Sequence, residues 1–140
     1  MDYLWVAVGS ALGGVLRYAL TRAMIPISTG VPWGTVLINV LGSFVIGYFA
    51  TLTLHTGRSP APDNLRLFVM VGICGGFTTF SSFSLQTFDL LRSGHWAQAT
   101  ANVVLSVALC LAAVGAGHAL ASRALSGQSI AAESLEKPTG

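Results

Sequence analysis

Charge is what this chain most lacks. Lys and Arg number 7 and Asp and Glu 5 among 140 residues, so 9% of side chains are charged, against about a quarter in a soluble domain. Together with 53% hydrophobic residues and a mean hydropathy of +0.70, that scarcity excludes a water-soluble reading and leaves no nucleic-acid partner to expect. Metal-ligand spacing is also missing, because His55, His95 and His118 stand far apart near the ends of apolar runs and read as boundary residues. The two cysteines, Cys74 and Cys110, both fall inside apolar runs, so neither belongs to an extracellular disulfide framework. Both read as small, soft packing residues. The absence of most consequence is a buried acid: Asp2, Asp63, Glu133 and Glu136 lie outside the runs and Asp89 near the end of the third. A proton-coupled exporter of organic cations, the small multidrug type, needs a carboxylate inside a span. This chain offers none.

What is present is four apolar runs of membrane-spanning length, where roughly 20 residues suffice to cross the hydrocarbon core. They cover about Tyr3 to Leu20, Trp33 to Leu54, Leu65 to Leu91 and Trp96 to Leu120. Trp5, Trp33 and Trp96 each stand at the start of a run, where an amphipathic ring prefers the boundary of membrane and water. The connecting segments hold most of the prolines and much of the charge, as water-exposed turns should. The first run carries Asp2 rather than basic residues ahead of it and no clear small-residue cleavage site, so it is expected to be retained as a helix. The sequence therefore predicts an all-α, multi-pass membrane protein of four transmembrane helices over residues 1–122. A polar C-terminal tail over 123–140 is expected to be disordered.

Basic residues in short loops usually fix orientation. Here Arg58, Arg66, Arg123 and Lys137 stand on one side, and Arg22 and Arg92, with Arg17 if it snorkels, on the other. So even a split orients weakly. Either one strong helix decides, or copies insert both ways and pair antiparallel. Four helices of this size enclose too little space for an aqueous conduit, which would have to be assembled from more than one copy. Gly9 with Gly13, and Gly72 with Gly76, have the spacing that lets helix backbones approach closely. Spacing does not say whether they do so within a chain or between chains.

Polar residues in hydrocarbon are costly and commonly face a partner, a cavity or a pathway. Thr35, Asn39 and Ser43 recur every four residues along one face of the second run, and Asn102, Ser106 and Cys110 along one face of the fourth. A lone Ser or Thr satisfies itself on the preceding turn, whereas an asparagine amide does so less readily. Each stripe is thus either interhelical glue or a polar track. The third run is the most informative. Gly72-Ile-Cys-Gly-Gly76 is poor helix material, and Thr78, Thr79, Ser81, Ser82 and Ser84 follow it, which predicts a helix break at membrane depth. Irregular backbone is tolerated there where it is buried in protein or lines a cavity, and its freed amides and carbonyls hold ions. Phe77, Phe80 and Phe83 accompany the break, either as core packing or with their positive ring edges turned toward an anion. Arg17 either snorkels or adds positive potential near a pore mouth. Amides, hydroxyls, ring edges and an arginine without a buried acid favour a small anion.

At this point the chain resembles a known family, the Fluc or CrcB fluoride channels, from about Trp5 to Leu120. The resemblance rests on Gly9-Ser-Ala-Leu-Gly-Gly-Val-Leu-Arg-Tyr18, Gly34-Thr-Val-Leu-Ile-Asn-Val-Leu-Gly-Ser-Phe44 and, above all, Gly72-Ile-Cys-Gly-Gly-Phe-Thr-Thr-Phe-Ser-Ser-Phe83. It implies an antiparallel, dual-topology homodimer in a bacterial inner membrane, with two fluoride pores lined by both subunits. In that picture Asn39 supplies an amide donor and Phe80 and Phe83 supply ring edges. Ser106, Thr35, Ser43 and Ser81 join the polar track, and Arg17 adds positive potential. The resemblance also implies a structural sodium ion held at the dimer centre by the backbone carbonyls of Gly75 and Thr78 from both chains. Three positions depart from what is often seen in the family: Gln86 stands where many members carry an acid, Asn102 where some carry tyrosine, and Cys110 where a serine completes the track. A non-transporting membrane scaffold is the remaining alternative, and the broken third helix speaks against it.

Overall fold

The structure, a computed structural model, describes residues 1–54 and 62–136, with side chains described as far as residue 127. Helix α1 spans Asp2–Met24 and closes in a 3-10 turn, Ile25–Ile27, with Pro26 near its start. Helix α2 spans Trp33–Leu54. The third span is assembled from α3, Asp63–Arg66, a π-helical stretch Leu67–Cys74, α4, Gly75–Phe77, and α5, Phe80–Arg92. Helix α6 runs from Trp96 to Glu136. No strand occurs among the described residues, and the four helical spans are long and apolar enough to cross a membrane.

The turns have identifiable causes. Ser28 gives its hydroxyl proton to the Met24 carbonyl at 3.0 Å and accepts the Gly34 amide at 3.3 Å, tying the end of α1 to the start of α2. Helix α5 ends on Ser93, after which Gly94 takes φ +78°, a left-handed conformation that glycine adopts without a Cβ penalty. The Gly94 amide then donates to Leu91 and the His95 amide to Leu90, at 3.1 and 2.9 Å, satisfying the last carbonyls of the helix. Trp96 opens α6 at once, so α5 and α6 form a tight antiparallel hairpin.

Many large apolar residues point outward, as they do not in a soluble bundle. Among the described residues the buried apolar side chains are Val36, Ile38, Cys74, Ala99, Ala113 and Ala121, while Leu12, Val15, Leu16, Val104 and Leu111 are exposed. Lipid is as apolar as leucine, so burying leucine gains little and close backbone packing decides the contacts. Helix α1 lies on the π-helical stretch and α4, and α2 lies on α6. The glycine pairs account for the first contact: a Cβ on Gly9 would stand 2.9 Å from the Gly72 Cα, and one on Gly76 2.9 Å from the Ser10 Cα. Both pairs therefore serve packing within one chain, the reading that spacing alone left open.

The break in the third span falls at Thr78 and Thr79, within the stretch where it was expected, and the chain stays helical through Gly72 and Gly76 to Phe77. Packing against α1 compensates the poor helix propensity of those glycines. The fourth helix continues past residue 122, so 123–136 is helical where a disordered tail was expected. Ala, Leu, Gln and Glu in that segment favour helix even without an apolar face. Arg58, His55 and Lys137, which entered the reading of loop charge and boundary histidines, lie outside the described residues.

Candidate functional site

The break is held open by one side chain 40 residues away in sequence. Thr78 has φ −76°, ψ 157° and Thr79 φ −151°, ψ 110°, both extended. The Thr79 amide donates to Asn39 Oδ1 at 2.8 Å, and Asn39 Nδ2 donates to the Thr79 carbonyl at 3.1 Å. Asn39 thus pairs with both polar groups of one residue as a neighbouring strand would, and its partners fix which end of the amide is which. Thr79, itself buried, then starts the next helix: its Oγ1 accepts the Ser82 amide at 3.2 Å and also lies within hydrogen-bond distance of the hydroxyls of Ser81 and Ser82.

These bonds have a consequence for the carbonyls on either side. In an unbroken helix the Thr79 amide would donate to the Gly75 carbonyl and the Ser82 amide to the Thr78 carbonyl. Here those amides are bound to Asn39 Oδ1 and Thr79 Oγ1 instead. Gly75 and Thr78 lose their helical donors. On its side-chain side Gly75 is open as well, since a Cβ there would meet only the Met70 carbonyl, at 4.0 Å.

A cleft of about 360 Å³ opens beside the break. Asn39 and Ser43 of α2, Gly75, Thr78 and Thr79 of the break, Phe80 and Phe83 of α5, and Ser106 and Cys110 of α6 border it, with Ile46, Met70 and Val107 as apolar wall. No carboxylate does. Phe80 is 79% exposed in the single chain. Its ring centroid lies 5.3 Å from that of Phe83, with the planes tilted by 44°. Below the rings a second hydrogen-bond chain ties α5 to α6. Asn102 Nδ2 donates to Thr87 Oγ1 at 2.8 Å, and Thr87 donates to the Phe83 carbonyl at 2.8 Å. Ser106 reaches Asn102 Oδ1 at 3.5 Å, and Asn102 is fully buried.

Of the residues singled out in the sequence, Asn39, Ser43, Gly75, Thr78, Phe80, Phe83 and Ser106 therefore meet in one cleft. Thr35 is buried one turn before Asn39 and does not border it, and Ser81 touches Thr79 while facing outward. Arg17 stands half-buried on α1, away from the cleft, its carbonyl accepting the Thr21 hydroxyl at 2.8 Å. Gln86, one turn beyond Phe83, borders a separate polar hollow with Ser28, Asp89 and Gln98, and its buried Oε1 has no donor among the described residues. The sequence reading gave no individual role to Thr79 and Thr87. The signal for Thr79 was present in part, since threonine is a preferred residue ahead of a helix that restarts.

A helical multi-pass membrane protein whose third span breaks at mid-depth beside a carboxylate-free cleft of amides, hydroxyls and ring edges is the class that this fold and site define. The family model for CrcB-like protein, Camphor Resistance (CrcB), matches residues 4–118. The chain belongs to that family. Relatives include a protein named fluoride-specific ion channel FluC from Gluconobacter oxydans, 60% identical over 116 residues, 82% of this chain and 81% of that one. Proteins of the same name from Methylobacterium radiotolerans and Paramagnetospirillum magneticum are each 57% identical, over 84% and 87% of this chain and 82% and 96% of theirs.

Proposed function

We infer that this chain forms a fluoride-selective channel, a passive transport protein and not an enzyme, that lowers cytoplasmic fluoride. The observation that carries the reading is the cleft at the break, built of the motif residues of a family whose relatives are named fluoride-specific ion channels. Its chemistry supports a small anion. Asn39 keeps one of its two Nδ2 hydrogens after binding Thr79, Ser43 and Ser106 offer hydroxyls, and Phe80 and Phe83 offer ring edges. No carboxylate among the described residues borders the cleft, so no fixed negative charge stands on its wall.

The cleft is only part of a pathway. Phe80 is exposed at membrane depth, and the Gly75 and Thr78 carbonyls, freed of their helical donors, would go unsatisfied if they met hydrocarbon. A second copy in antiparallel orientation would cover them and complete two pores, in keeping with the balanced loop charges. At the centre of such a dimer the Gly75 and Thr78 carbonyls of both chains, freed of their helical donors, form an all-oxygen set suited to one structural sodium ion. That ion would supply a fixed positive charge and would hold the copies together. Arg17 would add positive potential nearer a pore mouth. The setting proposed is a bacterial inner membrane.

The test is efflux from proteoliposomes followed with a fluoride electrode. Fluoride loss with no comparable chloride loss is expected, whereas equal flux of both ions, or none of fluoride, would sink the reading.

A further inference from the structure

Three sulfur atoms belong to the walls of the same cleft. Met70 and Cys74, four residues apart on the π-helical stretch, stand on one side, and Cys110 of α6 on another. Both cysteines are free; Cys74 is buried and Cys110 half-buried. Of the chain's 2 cysteines and 3 methionines, both cysteines and one methionine border this cleft. Fluoride has no use for them, because a thiol is a weak donor and a thioether is none. Nor does packing alone explain Cys110, which borders open space instead of a closed interior.

We propose that Met70, Cys74 and Cys110 form a binding site for a soft, thiophilic monovalent cation of the Cu⁺ or Ag⁺ kind, whose occupancy closes the cleft. Thiolate and thioether sulfur select soft ions, whereas the carbonyl oxygens of Gly75 and Thr78 suit hard ones, so the two cation chemistries do not compete. On binding, one thiol gives its proton to water as its sulfur bonds the metal, and the second thiol and the thioether donate lone pairs. The metal and one thiolate are then neutral together, which the low-dielectric surroundings favour. The bound ion would occupy part of the cleft that Phe83 and Ser106 also border, which the proposed function assigns to fluoride, and the block, though not the binding, rests on that reading.

The experiment titrates silver nitrate into the full-length protein in chloride-free buffer, reading silver–thiolate absorbance in detergent and fluoride efflux from proteoliposomes. One silver ion per chain is expected. Half-block should shift to at least 100-fold higher silver in the Cys74→Ala/Cys110→Ala double variant, and about tenfold higher in Met70→Leu, each scored against its own uninhibited flux. A variant that aggregates on size exclusion is replaced by its serine counterpart. Unchanged silver binding in the double variant would overturn the site. So would a shift seen with Cys110→Ala alone and with neither Cys74→Ala nor Met70→Leu, which marks a single reactive thiol. Silver uptake as expected in a protein without fluoride flux would sink the channel reading and leave the metal site standing.

Discussion

Asn39 does two things with one amide, and the energies say which failure dominates when it is removed. Replacing it with leucine orphans the Thr79 amide and carbonyl inside the protein, at about 1–3 kcal/mol for each buried group left unsatisfied. Asn39→Leu is therefore expected to lower thermal stability in detergent as well as flux, and normal stability would show that the pairing with Thr79 matters less than its geometry implies. Phe80 is the opposite case. At 79% exposed it contributes little packing within one chain, so Phe80→Ile should leave the chain's own thermal unfolding unchanged. Fluoride efflux should nonetheless fall severalfold, since isoleucine has no positive ring edge to offer an anion. Undiminished efflux would return Phe80 to the role of a lipid-facing or packing side chain.

At the scale of elements, neighbouring glycines of α4 separate intrachain packing from everything else. A methyl on Gly76 would run into the Ser10 backbone, 2.6 Å from its carbonyl oxygen, and backbone cannot step aside as a flexible side chain can. Gly76→Ala should cost about 1–3 kcal/mol by overpacking, read as a lower melting temperature in detergent. An unaltered melting temperature would mean that α1 does not press on α4 as closely as the structure has it. The ends of the helices were readable in the sequence because tryptophan, charge and proline mark the membrane boundary locally, as at Trp33 and Trp96. The break was readable within the glycine- and hydroxyl-rich stretch of the third span, and the structure narrows it to Thr78 and Thr79. What fixes that position is Asn39, a long-range partner that no local pattern reveals. The glycine spacing was likewise visible without its meaning, since Gly9 and Gly72 identify each other only once both helices are placed. Hydropathy falls away beyond residue 122, but helix propensity carries α6 on to Glu136, so the apolar pattern alone does not mark its end.

At the scale of the whole molecule the question is what lies against the open side of the break. Gly75 answers it better than any residue of the cleft wall, because alanine there meets nothing nearer than 4.0 Å within its own chain. Helix propensity alone makes Gly75→Ala stabilising for the single chain by up to about 1 kcal/mol. If two antiparallel copies meet at the freed carbonyls around one sodium ion, two added methyl groups face each other in that small space. The expected result is an unchanged or slightly raised melting temperature of the monomer together with a weaker dimer, seen as a shift toward monomer on dilution in detergent. Replacing sodium with a large organic cation should weaken the native dimer in the same assay, since an ion that binds only the assembled form stabilises it by mass action. The dimer of Gly75→Ala should respond less to that exchange. A dimer equally stable with and without sodium would remove the ion from the assembly while leaving the second copy in place. A protein that stays monomeric at membrane concentrations, yet still passes fluoride, would remove the second copy too and confine the pathway to the cleft of one chain.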